Sequence, residues 1–204
     1  MALIPQMQAP DFKAQAYLEG KIYEFDSASM KGKYFVLMFY PSDFSFVCPT
    51  EIIEHSRAID EFRKIGCEVC CISTDSEFTH KAFAETPQER GGLAPIRVPL
   101  ISDRSGEISR SYGVLLKEGY SIRATFIIAP CGKIRAVQMN DSTVGRSVEE
   151  TLRLVNGFKF CDENGCSCPV NWKKGEKGMP MTTEGVIEYM KEHMKPEGSQ
   201  AKTA

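Results

Sequence analysis

A single cysteine, Cys48, stands where an apolar strand should give way to a helix, a position at which a thiol becomes reactive. Residues 34–40 are almost continuously apolar and aromatic, which is typical of a strand covered on both faces. Pro49 suits the first turn of a helix, and Glu51 places a carboxylate in that turn. Because a helix N-terminus presents unpaired N–H groups and the positive end of the dipole, we expect Cys48 to be a thiolate.

The other interpretation of any cysteine is that it packs as a small buried hydrophobe. For Cys48 the flanking Pro49, Thr50 and Glu51 indicate a turn and not a core. The packing interpretation does fit three other cysteines, in or beside the apolar run 67–73: Cys67, Cys70 and Cys71. A fourth, Cys131, lies in the turn of a hairpin and is expected to be exposed. We predict that these four take no part in the chemistry.

The segment FYPSDFSFVCPTEI, in which Pro41, Ser45 and Cys48 have the spacing P-x-x-x-S-x-x-C, resembles the active-site signature of the typical 2-Cys peroxiredoxins. Later segments resemble successive blocks of that family in the same order: CISTDSEFTHKAF, VPLISDRSGEISRSYGV, RATFIIAPCGKI, VGRSVEETLRLV and CSCPVNWKKGEKGM. The resemblance covers nearly the whole chain. It implies an α/β, thioredoxin-like fold with an N-terminal extension and a C-terminal arm, and a thiol-dependent peroxidase acting on hydrogen peroxide and alkyl hydroperoxides.

In such an enzyme the Cys48 thiolate attacks the terminal peroxide oxygen and becomes a sulfenic acid. The Ser45 hydroxyl can donate to the thiolate or to the peroxide, and Pro41 can shield the site from water. The resemblance places the fixed positive charge on Arg123, in SIRATFIIA. The chemistry needs no cofactor and no metal.

The resemblance also implies that Glu51 and Arg146 pair and hold Arg123 in orientation. The alternative for Arg146 is a solvated residue at the start of a helix. Arg123 lies within an apolar strand, where an unpaired charge would be costly, so it should have a partner.

Recycling of the sulfenic acid requires a second thiol, and three cysteines lie near the C-terminus. By the resemblance the resolving residue is Cys168, which precedes Pro169 in CSCPVNW with Trp172 as the aromatic marker. Cys166 and Cys161 depart from the family pattern. The alternatives are a zinc site, for which a fourth ligand is missing nearby, and a local disulfide from Cys161 to Cys166 or Cys168.

Length and composition suit one globular domain, since the chain has 204 residues of which 42% are hydrophobic. The net charge of −2 favours no nucleic-acid partner, and no apolar run is long enough for a membrane span. We read no secretory signal at the N-terminus and expect a cytoplasmic protein. We place the peroxidase domain at residues 1–160 and the arm, with a short terminal helix, at residues 161–204.

Alternating strand and helix patterns favour an α/β sheet covered by helices. Strands are expected at 34–40, 67–73, 98–101, 122–129 and 133–139. Helices are expected over 49–66, 76–85, 106–112, 148–158 and 184–194. The capping box formed by Ser147 and Glu150 predicts the start of the fourth helix. Residues 161–180 have no periodicity and are expected to form a mobile arm, followed after the last helix by a polar tail.

The family resemblance implies a homodimer, assembled into a ring of five dimers, and a thioredoxin-like reductant as partner. Two other functions compete with the peroxidase. A thiol–disulfide oxidoreductase would need C-x-x-C, but Glu51 stands three residues after Cys48. A holdase chaperone or redox sensor could be built on the same oligomer.

Overall fold

The computed structural model describes residues 3–194, which form a seven-stranded mixed sheet with helices. The strands are β1 (Lys13–Leu18), β2 (Lys21–Asp26), β3 (Tyr34–Phe39), β4 (Cys67–Ser73), β5 (Leu100–Ser102), β6 (Arg123–Ile128) and β7 (Ile134–Asn140). The helices are α1 (Cys48–Arg57), α2 (Ile59–Lys64), α3 (Glu77–Glu85), α4 (Glu107–Ser111), α5 (Val148–Asn164) and α6 (Thr183–His193). Short 3₁₀ turns lie at Ser27–Met30 and Gln88–Arg90.

Strand β3 lies inside the sheet, whose order is β2-β1-β5-β4-β3-β6-β7. It pairs in parallel with β4 and antiparallel with β6, and all six of its residues are buried. A strand covered on both faces needs apolar residues at every position, which is the pattern that the sequence shows there. The expected α/β class is therefore confirmed.

Aromatic rings fill one side of the core beside β3. Phe39, Tyr112 and Phe126 form a triangle with ring centroids 5.0 to 5.7 Å apart, within the range of favourable edge and tilted contacts. All three rings are almost completely buried. This packing fixes the end of β3, after which the chain turns toward Cys48.

The helix expected over residues 49–66 is two helices, because the backbone leaves the helical conformation at Ala58 (φ −82°, ψ 0°). With this bend, Ile52 in α1 and Ile59 and Phe62 in α2 are all fully buried. The prediction of a single helix was wrong. The prediction was based on the spacing of apolar residues, and this spacing does not show where one helix ends and the next begins.

The hairpin of β1 and β2 lies in the N-terminal extension, where no strands were predicted. Its two-residue turn, Glu19-Gly20, has positive φ at both positions, 46° and 84°, and Leu18 pairs with Lys21. Such turns favour Asn-Gly or Asp-Gly, so Glu-Gly is a weak sequence signal. Strand β1 also pairs with β5, so the hairpin extends the main sheet.

The chain divides into two compact units, one ending at Leu152 and one beginning at Arg153. Helix α5 runs to Asn164, six residues beyond the expected end, so the expectation that an aperiodic arm begins at Cys161 was wrong. The domain boundary expected after residue 160 stays a prediction, and the polar tail beyond residue 194 lies outside the described residues. Between residues 3 and 194, no helix combines the length and apolarity needed to cross a membrane.

Candidate active site

Cys48 is the first residue of α1 and is completely buried. Pro49 occupies the first turn and Glu51 supplies its carboxylate, as predicted. The preceding residue, Val47, contributes no side-chain cap. The N-terminal end of α1 therefore lacks a capping hydroxyl or carboxylate, and its positive end faces the cysteine.

A buried polar network holds the loop between β3 and α1. The Tyr40 hydroxyl donates to Asp43 Oδ1 at 2.7 Å, and His80 Nδ1 lies 2.8 Å from Asp43 Oδ2. The other ring nitrogen of His80 lies 3.1 Å from the carbonyl oxygen of Ile101. The loop is thereby attached to α3 and β5, which restricts the approach of the chain to Cys48.

Arg123, the first residue of β6, reaches Cys48 across the end of the sheet. Its Nη1 donates to Cys48 Sγ at 3.1 Å and to Glu51 Oε2 at 2.8 Å, while its Nε donates to the carbonyl oxygen of Ser142 at 2.8 Å. The antiparallel register pairs Phe39 with Ala124, so Arg123 lies just beyond the last residue of β3. The residue predicted to carry the positive charge is thus in contact with the sulfur.

Arg146 holds Glu51 through three hydrogen bonds. Its backbone N and Nε donate to Glu51 Oε1 at 2.8 and 2.7 Å, and its Nη2 donates to Oε2 at 2.9 Å. Its remaining Nη1 donates to the carbonyl oxygens of Phe39 and Ala124, at 2.8 and 2.9 Å, and to Thr125 Oγ1 at 3.2 Å. The solvated alternative for Arg146 is excluded, because the residue is buried and joins Glu51 to the ends of β3 and β6.

The charged side chains of this cluster do not neutralise one another. Arg123 and Arg146 carry two positive charges, Glu51 carries one negative charge, and all three side chains are buried. One positive charge of the cluster thus has no buried carboxylate to neutralise it, and it lies beside the Cys48 sulfur. Burial alone would raise the pKa of Glu51, but its hydrogen bonds to Arg146, then the charges of Arg146 and Arg123, outweigh burial and lower that pKa.

Three other buried cysteines provide a comparison for the surroundings of Cys48. Burial raises the pKa of Cys67, Cys70 and Cys71 far above that of a free thiol. All three lie in β4, as predicted, while Cys131 is exposed. Cys48 is equally buried but has a guanidinium nitrogen within hydrogen-bond distance of its sulfur. Burial by itself makes a thiol inert, and the neighbouring arginine makes Cys48 different.

A cleft of about 450 Å³ lies over Arg123 and the residue preceding Cys48. Its lining includes Pro41, Ser45, Val47, Tyr120 and Arg123. The Ser45 hydroxyl donates its proton to the carbonyl oxygen of Ser42 at 2.9 Å and not to the Cys48 sulfur, so its oxygen is left to accept a hydrogen bond. The structure therefore brings Pro41, Ser45 and Arg123 to one cavity beside Cys48.

The second compact unit contains the three C-terminal cysteines. Cys161 is in the last turn of α5, Cys166 follows that helix, and Cys168 lies next to the bridge between Ser167 and Met179. Trp172, only 2% exposed, packs in a tilted arrangement on Phe160 with ring centroids 5.0 Å apart and anchors this segment, as the aromatic marker predicted. Among residues 3–194, no group of three or more His, Cys, Asp or Glu side chains is arranged to hold a metal ion.

Sequence analysis did not find the backbone groups that orient the two arginines. The carbonyl oxygens of Ser142, Phe39 and Ala124 accept hydrogen bonds from Arg123 or Arg146. Every residue has a carbonyl, so no residue type signals this role. Tyr120, in the cleft wall, was also missed, and its position before β6 was the available signal.

Fold and site together define a thioredoxin-like protein with one buried, arginine-paired thiol. The model of the AhpC/TSA family matches residues 5–137, and that of the C-terminal domain of 1-Cys peroxiredoxin matches residues 157–193. The chain belongs to the AhpC/TSA family of peroxiredoxins, and it is a peroxidase, an oxidoreductase that consumes peroxide and a thiol reductant.

Individual relatives are similar to this chain over nearly their full length. Peroxiredoxin-2 of Macaca fascicularis is 48% identical over 186 residues, 91% of this chain and 94% of the relative. Peroxiredoxin 2 of Drosophila melanogaster is 50% identical over 179 residues, 86% of this chain and 92% of the relative. The crystal structure of reduced 2-Cys peroxiredoxin from Plasmodium vivax superposes with a TM-score of 0.90 at 37% identity, covering 93% of this chain and 99% of that one. These likenesses confirm the predicted thioredoxin-like fold and favour a peroxidase over a holdase chaperone or redox sensor.

Proposed function

We propose that this peroxidase works through two cysteines, with Cys48 as the peroxide-reactive thiolate and Cys168 as the resolving thiol of the partner subunit. The observation that carries the first assignment is the 3.1 Å contact between Arg123 Nη1 and Cys48 Sγ inside a buried cluster that needs one more negative charge. The second assignment rests on the family pattern around Cys168 and on Trp172, which anchors its segment.

In the first step the Cys48 thiolate attacks the terminal oxygen of the peroxide. The O–O bond breaks, an S–O bond forms, and the leaving hydroxide or alkoxide takes a proton from water, so that sulfur is oxidised to the sulfenic acid and the peroxide is reduced. Arg123 stabilises the negative charge as it moves from sulfur to the leaving oxygen. Pro41 and Ser45 line the approach, and the Ser45 hydroxyl can orient the peroxide.

Glu51 and Arg146 act through Arg123 and do not touch the substrate in this proposal. Glu51 accepts from Arg123 Nη1 at 2.8 Å, and Arg146 fixes both oxygens of Glu51. Arg123 is therefore held by Glu51 on one side and by the carbonyl of Ser142 on the other. A guanidinium fixed before the peroxide arrives needs little reorganisation during the reaction.

In the second step the Cys168 thiol condenses with the sulfenic acid, releasing water and forming an intersubunit disulfide. A thioredoxin-like dithiol then reduces this disulfide. The homodimer, and its assembly into a ring of five dimers, are part of the same proposal. Phe44 and Phe78 support an assembly surface, since these large apolar side chains are 50% and 67% exposed. A reducing compartment such as the cytoplasm suits eight unpaired cysteines.

The test of the first step is the substitution Cys48→Ser. Serine is not ionised at neutral pH, so peroxide consumption with thioredoxin and its reductase should fall to background. Cys131→Ser is the matched control, because Cys131 is exposed and outside the site, and it should keep wild-type turnover. Retention of even a tenth of the turnover by Cys48→Ser would contradict the assignment.

The resolving thiol is tested by acid quenching within the first turnover, followed by a non-reducing gel. Wild type and Cys166→Ser should show an intersubunit dimer band, and Cys168→Ser should not. The reverse pattern would make Cys166 the resolving residue. Light scattering of the reduced protein measures the oligomer, and a monomer at micromolar concentration would refute the proposed assembly.

A further inference from the structure

Cys161 and Cys168 lie side by side within the second compact unit. Their Sγ atoms are 3.5 Å apart, within the distance of a hydrogen bond between thiols. A disulfide has an S–S length of about 2.0 Å, so a movement of about 1.5 Å would join them. Cys161 is on a helix and Cys168 is on the segment that packs against it, which keeps the two sulfurs together.

The position of Cys168 is fixed by its neighbours and not only by Cys161. Its Sγ lies 3.6 Å from the carbonyl oxygen of Gly157, and a Cβ placed on Gly157 would lie 3.7 Å from both Cys168 Sγ and the Trp172 ring. Trp172 Nε1 in turn donates to the carbonyl oxygen of Glu176 at 3.1 Å. Cys168 and Trp172 therefore both pack at ordinary van der Waals distance on the Gly157 face of α5.

Cys166 has a different environment, although it is two residues from Cys168. A Cβ placed on Gly178 would lie 2.4 Å from Cys166 Sγ and 2.7 Å from the Phe160 ring. The Cys166 sulfur and the Phe160 ring therefore both pack closely on Gly178. The geometry favours Cys161, and not Cys166, as the partner of Cys168.

We propose that Cys161 is a third redox thiol, which takes Cys168 from its disulfide with Cys48 and forms a local Cys161–Cys168 disulfide. This inference rests on the proposed function, in which Cys168 resolves the sulfenic acid. The local disulfide is then the species that the dithiol reductant attacks. Cys48 returns to its thiolate without waiting for that reductant.

The exchange step balances without any further oxidant. The Cys161 thiolate attacks Cys168 Sγ, a new S–S bond forms as the old one breaks, and Cys48 leaves with the electron pair. The proton lost by Cys161 goes to water, and the oxidation state of the protein as a whole is unchanged. Each turnover still consumes one peroxide and two electrons from the external dithiol.

The two possible leaving groups decide the direction of exchange. Burial, and then the neighbouring Cys161 thiol, raise the pKa of Cys168 to about 12, so Cys168 is a poor leaving group. A departing Cys48 thiolate instead receives the guanidinium of Arg123 at 3.1 Å. Attack at Cys168 with loss of Cys48 is therefore the favoured reaction. Its product is the local Cys161–Cys168 disulfide and a free Cys48 thiolate.

The first experiment follows the disulfides of the full-length protein after one equivalent of hydrogen peroxide, with no reductant present. Samples are quenched in acid, alkylated, run on non-reducing gels and digested for mass spectrometry. In wild type the intersubunit dimer band should appear and then decay to monomer containing a Cys161–Cys168 linked peptide. In Cys161→Ser the dimer band should persist, and the ratio of monomer to dimer at the end point should fall by at least about tenfold.

Cys166→Ser is the matched control and should behave as wild type. A persistent wild-type dimer without the linked peptide, in protein that has consumed its peroxide, would overturn the inference while leaving the peroxidase proposal intact. A linked peptide formed at the same rate in Cys48→Ser would also overturn it, because the pair would then be oxidised directly. Failure of wild type to consume peroxide would instead refute the proposed function.

A second experiment tests the pair independently of peroxide. Cys48→Ser protein equilibrated in buffers of oxidised and reduced glutathione should form the Cys161–Cys168 disulfide within one chain. The additional substitution Cys161→Ser should abolish it. Absence of the local disulfide at the most oxidising ratio would show that the two sulfurs cannot bond and would refute the relay.

Discussion

The substitution Glu51→Gln tests the central feature of the site, a carboxylate placed between two buried guanidiniums. Glu51 is 4% exposed and accepts four hydrogen bonds, three from Arg146 and one from Arg123. Glutamine has nearly the same shape but offers one acceptor oxygen. Its amide N–H groups would face guanidinium N–H groups, and two buried positive charges would lose their shared carboxylate.

The expected cost follows from the burial of all three side chains. Removing one partner of a buried ion pair costs about 3–5 kcal/mol, because the remaining charge stays desolvated. A domain is usually stable by only about 5–15 kcal/mol, so the effect is large. Glu54→Gln is the control, since Glu54 lies in the same helix but pairs with Arg57 on an exposed surface. Its effect should stay below about 1 kcal/mol.

The assay is urea unfolding of reduced protein, with peroxide oxidation of Cys48 measured separately in a single turnover. Glu51→Gln keeps both arginine charges near Cys48, so a slower reaction would report the orientation of Arg123. We expect the rate to fall by at least about tenfold. Unfolding free energies within 1 kcal/mol of wild type would refute the structural role of the carboxylate.

Acid provides a second measurement on the same pair of proteins. The pKa of Glu51 is lowered in the folded state, so its stabilising effect is complete above its ordinary value of about 4.5 and is lost as the pH falls through the lower folded value. The difference in unfolding free energy between wild type and Glu51→Gln should therefore shrink below about pH 4.5. A difference that grows in acid would contradict this assignment of charge.

Three further predictions concern other parts of the chain. Arg123→Ala should slow single-turnover oxidation of Cys48 by about 100-fold or more with a smaller effect on folding, and Arg123→Lys should restore part of the rate; equal rates for wild type and the alanine variant would refute the role. Burial lowers the pKa of His55, so the unfolded chain binds its proton first and stability should fall as the pH drops below about 6.5. The variant His55→Phe should show a weaker dependence in urea titrations between about pH 7 and 5.5, and an unchanged slope would contradict the prediction. Gly92→Ala would place a Cβ 2.1 Å from the carbonyl oxygen of Thr86 and should lower the unfolding free energy by about 1–3 kcal/mol, so an unchanged urea midpoint would show that the loop adapts.

Local sequence was sufficient for the elements that carry the reactive thiol. The apolar run of β3, the proline after Cys48 and the carboxylate in the next turn are all short-range signals, and they predicted the strand-to-helix junction correctly. The β1–β2 hairpin and the break at Ala58 were not predicted. The hairpin depends on an atypical pair of turn residues. The break at Ala58 depends on how two helical segments pack against the core.

The family resemblance supplied Arg123 and Arg146 as candidates, but only the tertiary structure showed what each one contacts. They lie 72 and 95 residues from Glu51 along the chain and meet it because β3 and β6 pair in one register. That register also places the carbonyl groups that orient both guanidiniums. Because every residue has a backbone carbonyl, the sequence does not show which ones take this role. In the second unit, the sequence left three cysteines as alternatives, and the structure places the Sγ atoms of Cys161 and Cys168 3.5 Å apart. Residue types therefore determine which chemistry is available, whereas long-range pairing determines which charges are desolvated together and so which thiols react.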